Sequence, residues 1–539
     1  MKLTMSKAVL ALLVLGMSTS HHQSLAAKTE TLSDRDLEDQ EFWRGLAEDT
    51  GSFPAPTAPP TSLPTSFPTN APTLPPVPAP TPPPVPSPTG APVPSPTAAP
   101  PTNPPPTAAP VAAPTLPPPT SAPVAPPTGA PVSAPPVSAP PTDAPVSAIR
   151  MRLTPYALNG GAEFDDPDSY QSCALAKVEA QVGAADFTDA KLTQYYSLYS
   201  IFCNTNAVPN PITDNDDRFV GIPFPTWLVT TGWEETTLDP CDGWYGIGCD
   251  AEGRVNIVDL FENLLTGYFP PEVALMSLDG PSATGGGALF RIDLFRNEFL
   301  WNNGDSSWMT DCGSSITTII AEDTAFTGDI PRLPDNLVNF DVSFAFFTGG
   351  LTDANFEGLS EMNFLDLDGN AFNTTVPAVL GSLPNLQFLY LSDAFISGDL
   401  SYMSGMAAMR EHWIDTNPGL VGTLPALIGD ISTLESFSVT FSGLTGPIPT
   451  TLGQLENMQQ MWLYANQLTG EIPAELGNLM AMRILQVEGN AFVGEMPAEV
   501  CANTMFPTQV LEILGADCED AGFTCTCCTC CSVAQCADA

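Results

Sequence analysis

The sequence predicts an α/β solenoid: short parallel strands stacked behind a helical N-terminal cap, with a long proline-rich segment ahead of both. Three observations predict it. Apolar residues recur with a period near 24 after Val255, an aromatic-rich stretch of globular composition precedes them, and most of the 59 prolines fall between Pro54 and Pro145. A fixed period of roughly 20 to 50 residues marks units that cannot bury their own apolar faces and must stack to do so.

In chain order, residues 1–26 read as a signal peptide: Lys2 and Lys7 precede the apolar run 8–17, and Ser24 and Ala26 are spaced for cleavage near Ala26. Residues 27–51 form an acidic linker with a short helical pattern around 34–48 and no assigned role. From 52 to 147 the chain is Pro, Ala, Thr, Val and Ser with almost no charge, a composition that favours polyproline II and cannot form a core. It reads as a disordered, semi-rigid stalk, at ~3.1 Å per residue at most roughly 280 Å long, with Ser and Thr beside Pro as O-glycan acceptors.

Residues 148–250 read as the cap, with one helix near 169–182 and an aromatic one over DAKLTQYYSLYSIFCN. Residues 251–502 hold about ten repeats, starting at Val255, Leu289, Ile316, Leu337, Met362, Leu386, Met409, Leu434, Met458 and Met482. The copy MQQMWLYANQLTGEIPAELGNL fits L-x-x-L-x-L-x-x-N-x-L-x-G-x-I-P, the wording of a leucine-rich repeat. In it Met458, Met461, Leu463 and Leu468 point inward, and the alternation over 461–464 makes the strand. Asn466 is placed to bond the backbone of the turn, and Gly470 permits the bend. Thr324, Ala345, Ala394 and Ser442 replace that Asn, so irregular turns are expected there. Residues 503–539 are assigned to a C-terminal cap and a cysteine-rich tail.

With 60 acidic against 16 basic residues the net charge is −44, which makes nucleic acid and anionic membranes poor partners. No run of about 20 apolar residues offers a membrane span. No lysine follows Lys191, so the strand lysine that kinases place on ATP phosphates is missing. His21 and His22 leave with the signal peptide, and His412 alone remains for a Ser-His-Asp or two-histidine zinc arrangement. It stands on the inward strand position held by Met461 and Leu485 in later copies, and reads as structural. Carboxylate pairs arise by chance among sixty acids, and none stands out. Neither a catalytic residue nor a resident cofactor is predicted.

The outward position between the two inward residues of each strand reads Asp259, Asp293, Ile320, Asp341, Asp366, Tyr390, Trp413, Ser438, Trp462 and Gln486. Its first half is acidic and its second aromatic. Asp415, Tyr464 and Glu488 fall in the next outward column. Rings offer an apolar face and carboxylates accept hydrogen bonds, so Tyr390, Trp413, Asp415, Trp462, Tyr464 and Glu488 form the candidate site for a glycan or a peptide with basic groups. The plain alternative is that Asp is common in such strands and aromatics in any strand. Neighbouring carboxylates at Asp259 with Asp293 and Asp341 with Asp366 make a weaker candidate for calcium, against simple screening by solvent.

Thirteen cysteines behind a secretory leader argue for disulfides. The odd count leaves one over; Cys312, isolated in an insertion, is the candidate for a free thiol or a link to a second chain. Six cysteines between Cys525 and Cys536 read as tight disulfides or interchain cross-links, in preference to a thiolate metal cluster. Asn373-Thr374-Thr375 is an N-glycosylation acceptor.

The wording L-T-G-x-I-P-x-x-L-G-x-L, with WEETTLDPCDGWYGIGCDAEGRVNIVDLFENLLTGYFPPEV ahead of it, resembles the plant-type extracellular leucine-rich repeat and its cap over roughly 165–518. The whole layout is similar to secreted repeat proteins of stramenopile algae such as diatoms. The resemblance implies a curved right-handed solenoid with ligands on its concave face. It also implies a cap disulfide Cys241–Cys249, a second bridge Cys173–Cys203, and Cys501–Cys518 closing the other end. The expected function is a secreted, non-catalytic binding or adhesion module for an extracellular protein or polysaccharide, possible wall association included. A secreted inhibitor of a wall-degrading hydrolase and a structural wall component are the alternatives.

Overall fold

The computed structural model describes residues 146–206, 227–277, 288–302, 305–505, 510–518 and 522–536. What the sequence suggests for residues 1–145 lies outside them.

The cap is built on two helices, α1 (Tyr170–Ala180) and α2 (Asp189–Thr205). Buried Tyr195, Tyr199 and Phe202 of α2 pack against Trp227, Trp233 and Trp244, with ring centroids 4.8 to 5.9 Å apart in the contacts Trp227–Trp233, Tyr195–Trp244 and Phe202–Trp233. Cys173–Cys203 ties α1 to α2, and Cys241–Cys249 closes the adjoining loop, as the resemblance implies. Gln194 Oε1 accepts from Val255 N at 3.0 Å, and the strand Ile247–Cys249 pairs antiparallel with Val255–Asp259. An open sheet edge would otherwise invite another chain. Thr188 caps α2, accepting from Lys191 N at 3.2 Å. Replacing Thr188 with Ala is expected to cost about 1 kcal/mol, read as a lower urea midpoint at unchanged m-value.

From Val255 onward the chain is a leucine-rich-repeat solenoid. A twelve-stranded sheet takes one strand from each repeat, and every neighbour after the first pair is parallel and in sequence order. Met458, Met461, Leu463 and Leu468 are fully buried, as the repeat pattern requires. Short 3₁₀ turns such as Thr450–Gln454 and Ala474–Asn478 line the opposite side. Strands stack at ~4.8 Å while helical turns need about 8 to 10 Å, so the stack curves with the long sheet on its concave side.

The turn Asn residues form a ladder between repeats. Asn466 Nδ2 donates to Leu463 O and Tyr464 O of its own turn and to Val439 O of the preceding repeat, while Oδ1 accepts from Leu444 N. Asn297, Asn370 and Asn490 repeat that pattern. Where Asn is replaced the ladder changes: Thr324 Oγ1 donates to Ala321 O and Ser442 Oγ to Thr440 O, both within their own turns. The residue before the Asn position is left-handed in repeat after repeat, including Arg296 (φ 52°), Phe344 (49°), Thr416 (56°) and Phe441 (46°). Strain there is offset by the bonds the ladder makes around it.

A second, five-stranded sheet runs beside the first from Ser397–Gly398 to Ala491–Phe492. At Gly446 (φ 77°) a Cβ would lie 2.9 Å from Thr423 Cγ2, so both the bend and the packing of successive rungs require glycine.

The C-terminal end differs from the expectation. The sheet gains an eleventh repeat strand, Ile513–Gly515, beyond residue 502. Cys501 pairs with Cys527 and Cys518 with Cys531, not with each other. Cys501 lies in the outer helix Ala498–Ala502 whereas Cys518 follows the new strand on the sheet side, so the intervening rung carries them apart. Cys525–Cys528 and Cys530–Cys536 complete the tail. Cys312 is unpaired and 0% exposed, packed in the core. That burial overturns its candidacy as a link to a second chain, and no other cysteine is left for an intermolecular disulfide.

Candidate functional site

The strand register puts the outward residues into one column. Asp259 faces Asp293, Asp341 faces Asp366, Asp366 faces Tyr390, Tyr390 faces Trp413, Trp413 faces Ser438, and Ser438 faces Trp462. Parallel strands stacked without stagger leave no other arrangement for a residue at the same repeat position.

The aromatic half of the column is a continuous strip. Tyr390 and Trp413 have centroids 4.9 Å apart, and Trp413 meets Trp462 edge-on at 6.3 Å across the intervening rung. That contact depends on Ser436 and Ser438 being small: Trp413 Nε1 donates to Ser436 Oγ at 2.8 Å. Two rings absent from the sequence-derived set extend the strip. Phe364 lies 5.6 Å from Tyr390 and 6.1 Å from Phe388, both from the outward column two residues earlier in the strand. Their signal was present in the F-x-D and F-x-Y spacing of those strands. All these rings are half-buried except Phe364, which is buried.

Polar groups frame the strip. Tyr390 Oη donates to Glu411 Oε2 at 3.1 Å, and Arg410 pairs with Glu435 beneath the Phe388 ring. Asp415 accepts Ser438 Oγ with both oxygens at 2.7 and 2.8 Å, and Thr440 N at 2.7 Å, so its oxygens are already engaged. Tyr464 stands edge-on to Phe441 at 5.5 Å. Glu488 departs from the expected exposed position: it is 1% exposed, because the cysteine-rich tail folds across it.

The acidic half is crowded. Burial raises Asp259 to about 6, with Asp293 adding to the effect. Asp293 is itself raised by burial, against the pull of Arg291 at 2.6 Å. Desolvation, then Asp368 and Asp341, hold Asp366 well above the usual carboxylate range. Asp341 accepts from Ser343 Oγ at 2.8 Å. Among the described residues no three His, Cys, Asp or Glu side chains gather as a metal site.

His412 is 0% exposed between strands. Its Nδ1 donates to Leu389 O at 2.9 Å, which leaves Nε2 to accept from Tyr402 Oη at 2.6 Å. Asn373 is exposed at the outer side, with φ 48°. Among the described residues no helix is long and apolar enough to cross a membrane.

No protein-family model matches the chain. A receptor-like protein kinase of Arabidopsis thaliana, BRI1-like 3, is 28% identical over 171 residues, covering 31% of this chain and 14% of that protein. The chain thus spans about a seventh of the length of the curated relative it matches. Among solved structures, the leucine-rich-repeat ectodomain of the Arabidopsis receptor kinase HAESA, in complex with an extended IDA peptide hormone, aligns with TM-score 0.45 and 24% identity over 55% of this chain and 46% of that one. A plant ice-binding protein aligns with TM-score 0.41 and 17% identity over 52% of this chain and 88% of that one. These proteins bear on the plant-type half of the resemblance only; the fold is read from the strand register and the Asn ladder.

Proposed function

We propose that this chain is an extracellular, non-catalytic binding module that captures a protein partner along the aromatic strip of its concave sheet. The strip Phe388, Tyr390, Trp413 and Trp462, backed by the buried Phe364, carries the reading, because four adjoining half-buried rings on the solvated side of a sheet hold apolar surface that the fold itself does not fully cover. The rings interlock at interplanar angles of 43° to 86°, forming a corrugated surface suited to apolar side chains of a polypeptide. A stacked sugar would need a flat free face, so polysaccharide is the second choice. The carboxylates Asp341, Asp366 and Asp368, with Asp366 raised by burial and then by its two neighbours, favour a ligand that brings a basic group. Six disulfides support an oxidising, extracellular setting. The buried, fully bonded His412 supports a non-catalytic role.

The test is binding of the full-length secreted chain to a panel of extracellular proteins and polysaccharides, beside a Trp413→Ala/Trp462→Ala variant. A protein ligand weakened about 100-fold or more in the variant is the expected result, since aromatic anchors at interfaces are each worth roughly 2 kcal/mol or more. Equal binding by both chains would remove the strip as the site.

A further inference from the structure

The last rungs of the concave sheet are covered by the chain's own tail. After Ile513–Gly515 the tail returns along the sheet edge: Thr529 N donates to Leu514 O at 2.9 Å and Cys530 bridges Gly515. It then folds over the face as the short turn of helix Val533–Cys536. Gln486 Nε2 donates to Cys536 O at 3.4 Å, and a Cβ on Gly489 would lie 3.2 Å from Val533 Cγ2. A Cβ on Gly515 would lie 2.7 Å from Cys536 Sγ and would strike Glu488 Oε2, so only glycine admits this packing.

Beneath the cover lies Glu488, with neither carboxylate oxygen hydrogen-bonded. A charged carboxylate in that place is shut off from solvent, and the pull of the backbone N–H groups of Glu488 and Val487 only partly offsets its burial, a costly state. The groups around it do not neutralise it. Asp517, whose oxygens accept from Gly489 N and Asn490 N, adds like charge. The helix Val533–Cys536 carries no charged side chain, the strand Ile513–Gly515 presents Gly515, and the preceding rung presents Tyr464. Arg483, at the other end of the same rung, is paired with Glu512.

We propose that Val533–Cys536 is a pH-sensitive cover on the end of the concave face, closed while Glu488 is protonated and loosened when Glu488 ionises, with the Cys530–Cys536 disulfide limiting its travel. Burial pushes the Glu488 carboxyl up to about 7 from an ordinary 4.5. The closed form therefore holds the proton more tightly than the open form. Closure is fully favoured below the ordinary value and weakens by up to about tenfold per pH unit until the raised value is passed. Opening uncovers Gln486, the neighbour of Trp462 in the column, and adds a carboxylate to that end of the face. This last consequence rests on the proposed ligand face; the cover does not.

Hydrogen exchange on the full-length, disulfide-intact protein between pH 5 and pH 8, corrected for intrinsic rates, tests it without reading any ligand. The tail amides, including those of Cys530 and Cys536, are expected to open on the order of 50-fold more at pH 8 than at pH 5. Glu488→Gln is expected to flatten that slope, and Cys536→Ser to raise opening at every pH while keeping it. Tail opening independent of pH in the wild-type chain, or a slope that survives in Glu488→Gln, would overturn the proposal. An NMR titration placing Glu488 at its ordinary value would do the same.

Discussion

Replacing Asn417 with alanine is expected to destabilise the stack by about 3 to 5 kcal/mol, the largest effect of any single polar substitution in the repeats. Asn417 is 0% exposed. Its Nδ2 donates to Leu391 O at 2.8 Å, Ile414 O at 3.2 Å and Asp415 O at 3.0 Å, and its Oδ1 accepts from Ile396 N at 2.8 Å and Ala394 N at 3.3 Å. Alanine would leave those backbone groups without partners where water does not reach, and each such group costs about 1 to 3 kcal/mol, part of which local relaxation recovers. The flanking rungs cannot compensate. They carry Ala394 and Ser442 at the ladder position, so Asn417 supports two turns alone, and the rung's left-handed residue Thr416 loses the bonds around it. Urea unfolding followed by far-UV circular dichroism measures the effect. Ser442→Ala, which removes the bond from Ser442 Oγ to Thr440 O, is the internal control and is expected to lose about 1 kcal/mol. A loss at Asn417 no greater than at Ser442 would show that the turns hold without the ladder.

The stack itself was readable because its information is local. A 24-residue spacing fixes which residue succeeds which on the next rung, and strand alternation fixes which face each residue takes. That is why ten outward residues chosen from spacing alone fall into one column. The eleventh strand carried the same signal in weaker form, as Leu511-x-x-Leu514-x-Ala516, with its turn lacking the usual Asn-x-Leu wording. The left-handed residue before the Asn position left no trace in the sequence. Arg296, Asp323, Phe344 and Phe441 share no side-chain chemistry, and the conformation is set by the bonds that close around them.

The candidate site was readable only as far as one rung at a time. Tyr390, Trp413 and Trp462 were found, but their joining into a strip required Ser436 and Ser438 to be small enough for two tryptophans to meet across a rung. Asp415 kept its predicted position and lost its predicted freedom, because Ser438 and Thr440 engage both oxygens. Glu488 was misplaced for a reason outside the repeats altogether. Its exposure depends on where a tail roughly 50 residues further along comes to rest, and six crowded cysteines do not reveal their partners by spacing.

The second large effect is one of acidity. Burial holds the His412 imidazole down at about 4, against the bond to Leu389 O and the charge of Asp415, which both pull it upward. In the unfolded chain it returns to about 6.5. Between those values the unfolded chain binds a proton that the folded chain refuses, so stability from this group is intact above pH 6.5 and is lost as pH falls towards 4, by about 3 kcal/mol in all. The raised carboxyls act in the opposite sense. Asp259, at about 6, and Glu488, at about 7, together with Glu272, Asp293 and Asp366, which burial also raises, weaken the fold as pH rises through their windows, so the raw pH profile mixes them with the histidine. The difference between the wild-type chain and His412→Gln isolates the histidine, since the carboxyls are common to both. Glutamine keeps an acceptor for Tyr402 Oη and cannot be charged. Urea unfolding at pH 7, 5.5 and 4.5 is expected to show the variant weaker at pH 7 and the gap closing as pH falls. Parallel profiles would mean that His412 is protonated as readily in the folded stack as in the open chain, which would contradict a fully buried ring enclosed between Leu389 O and Tyr402 Oη.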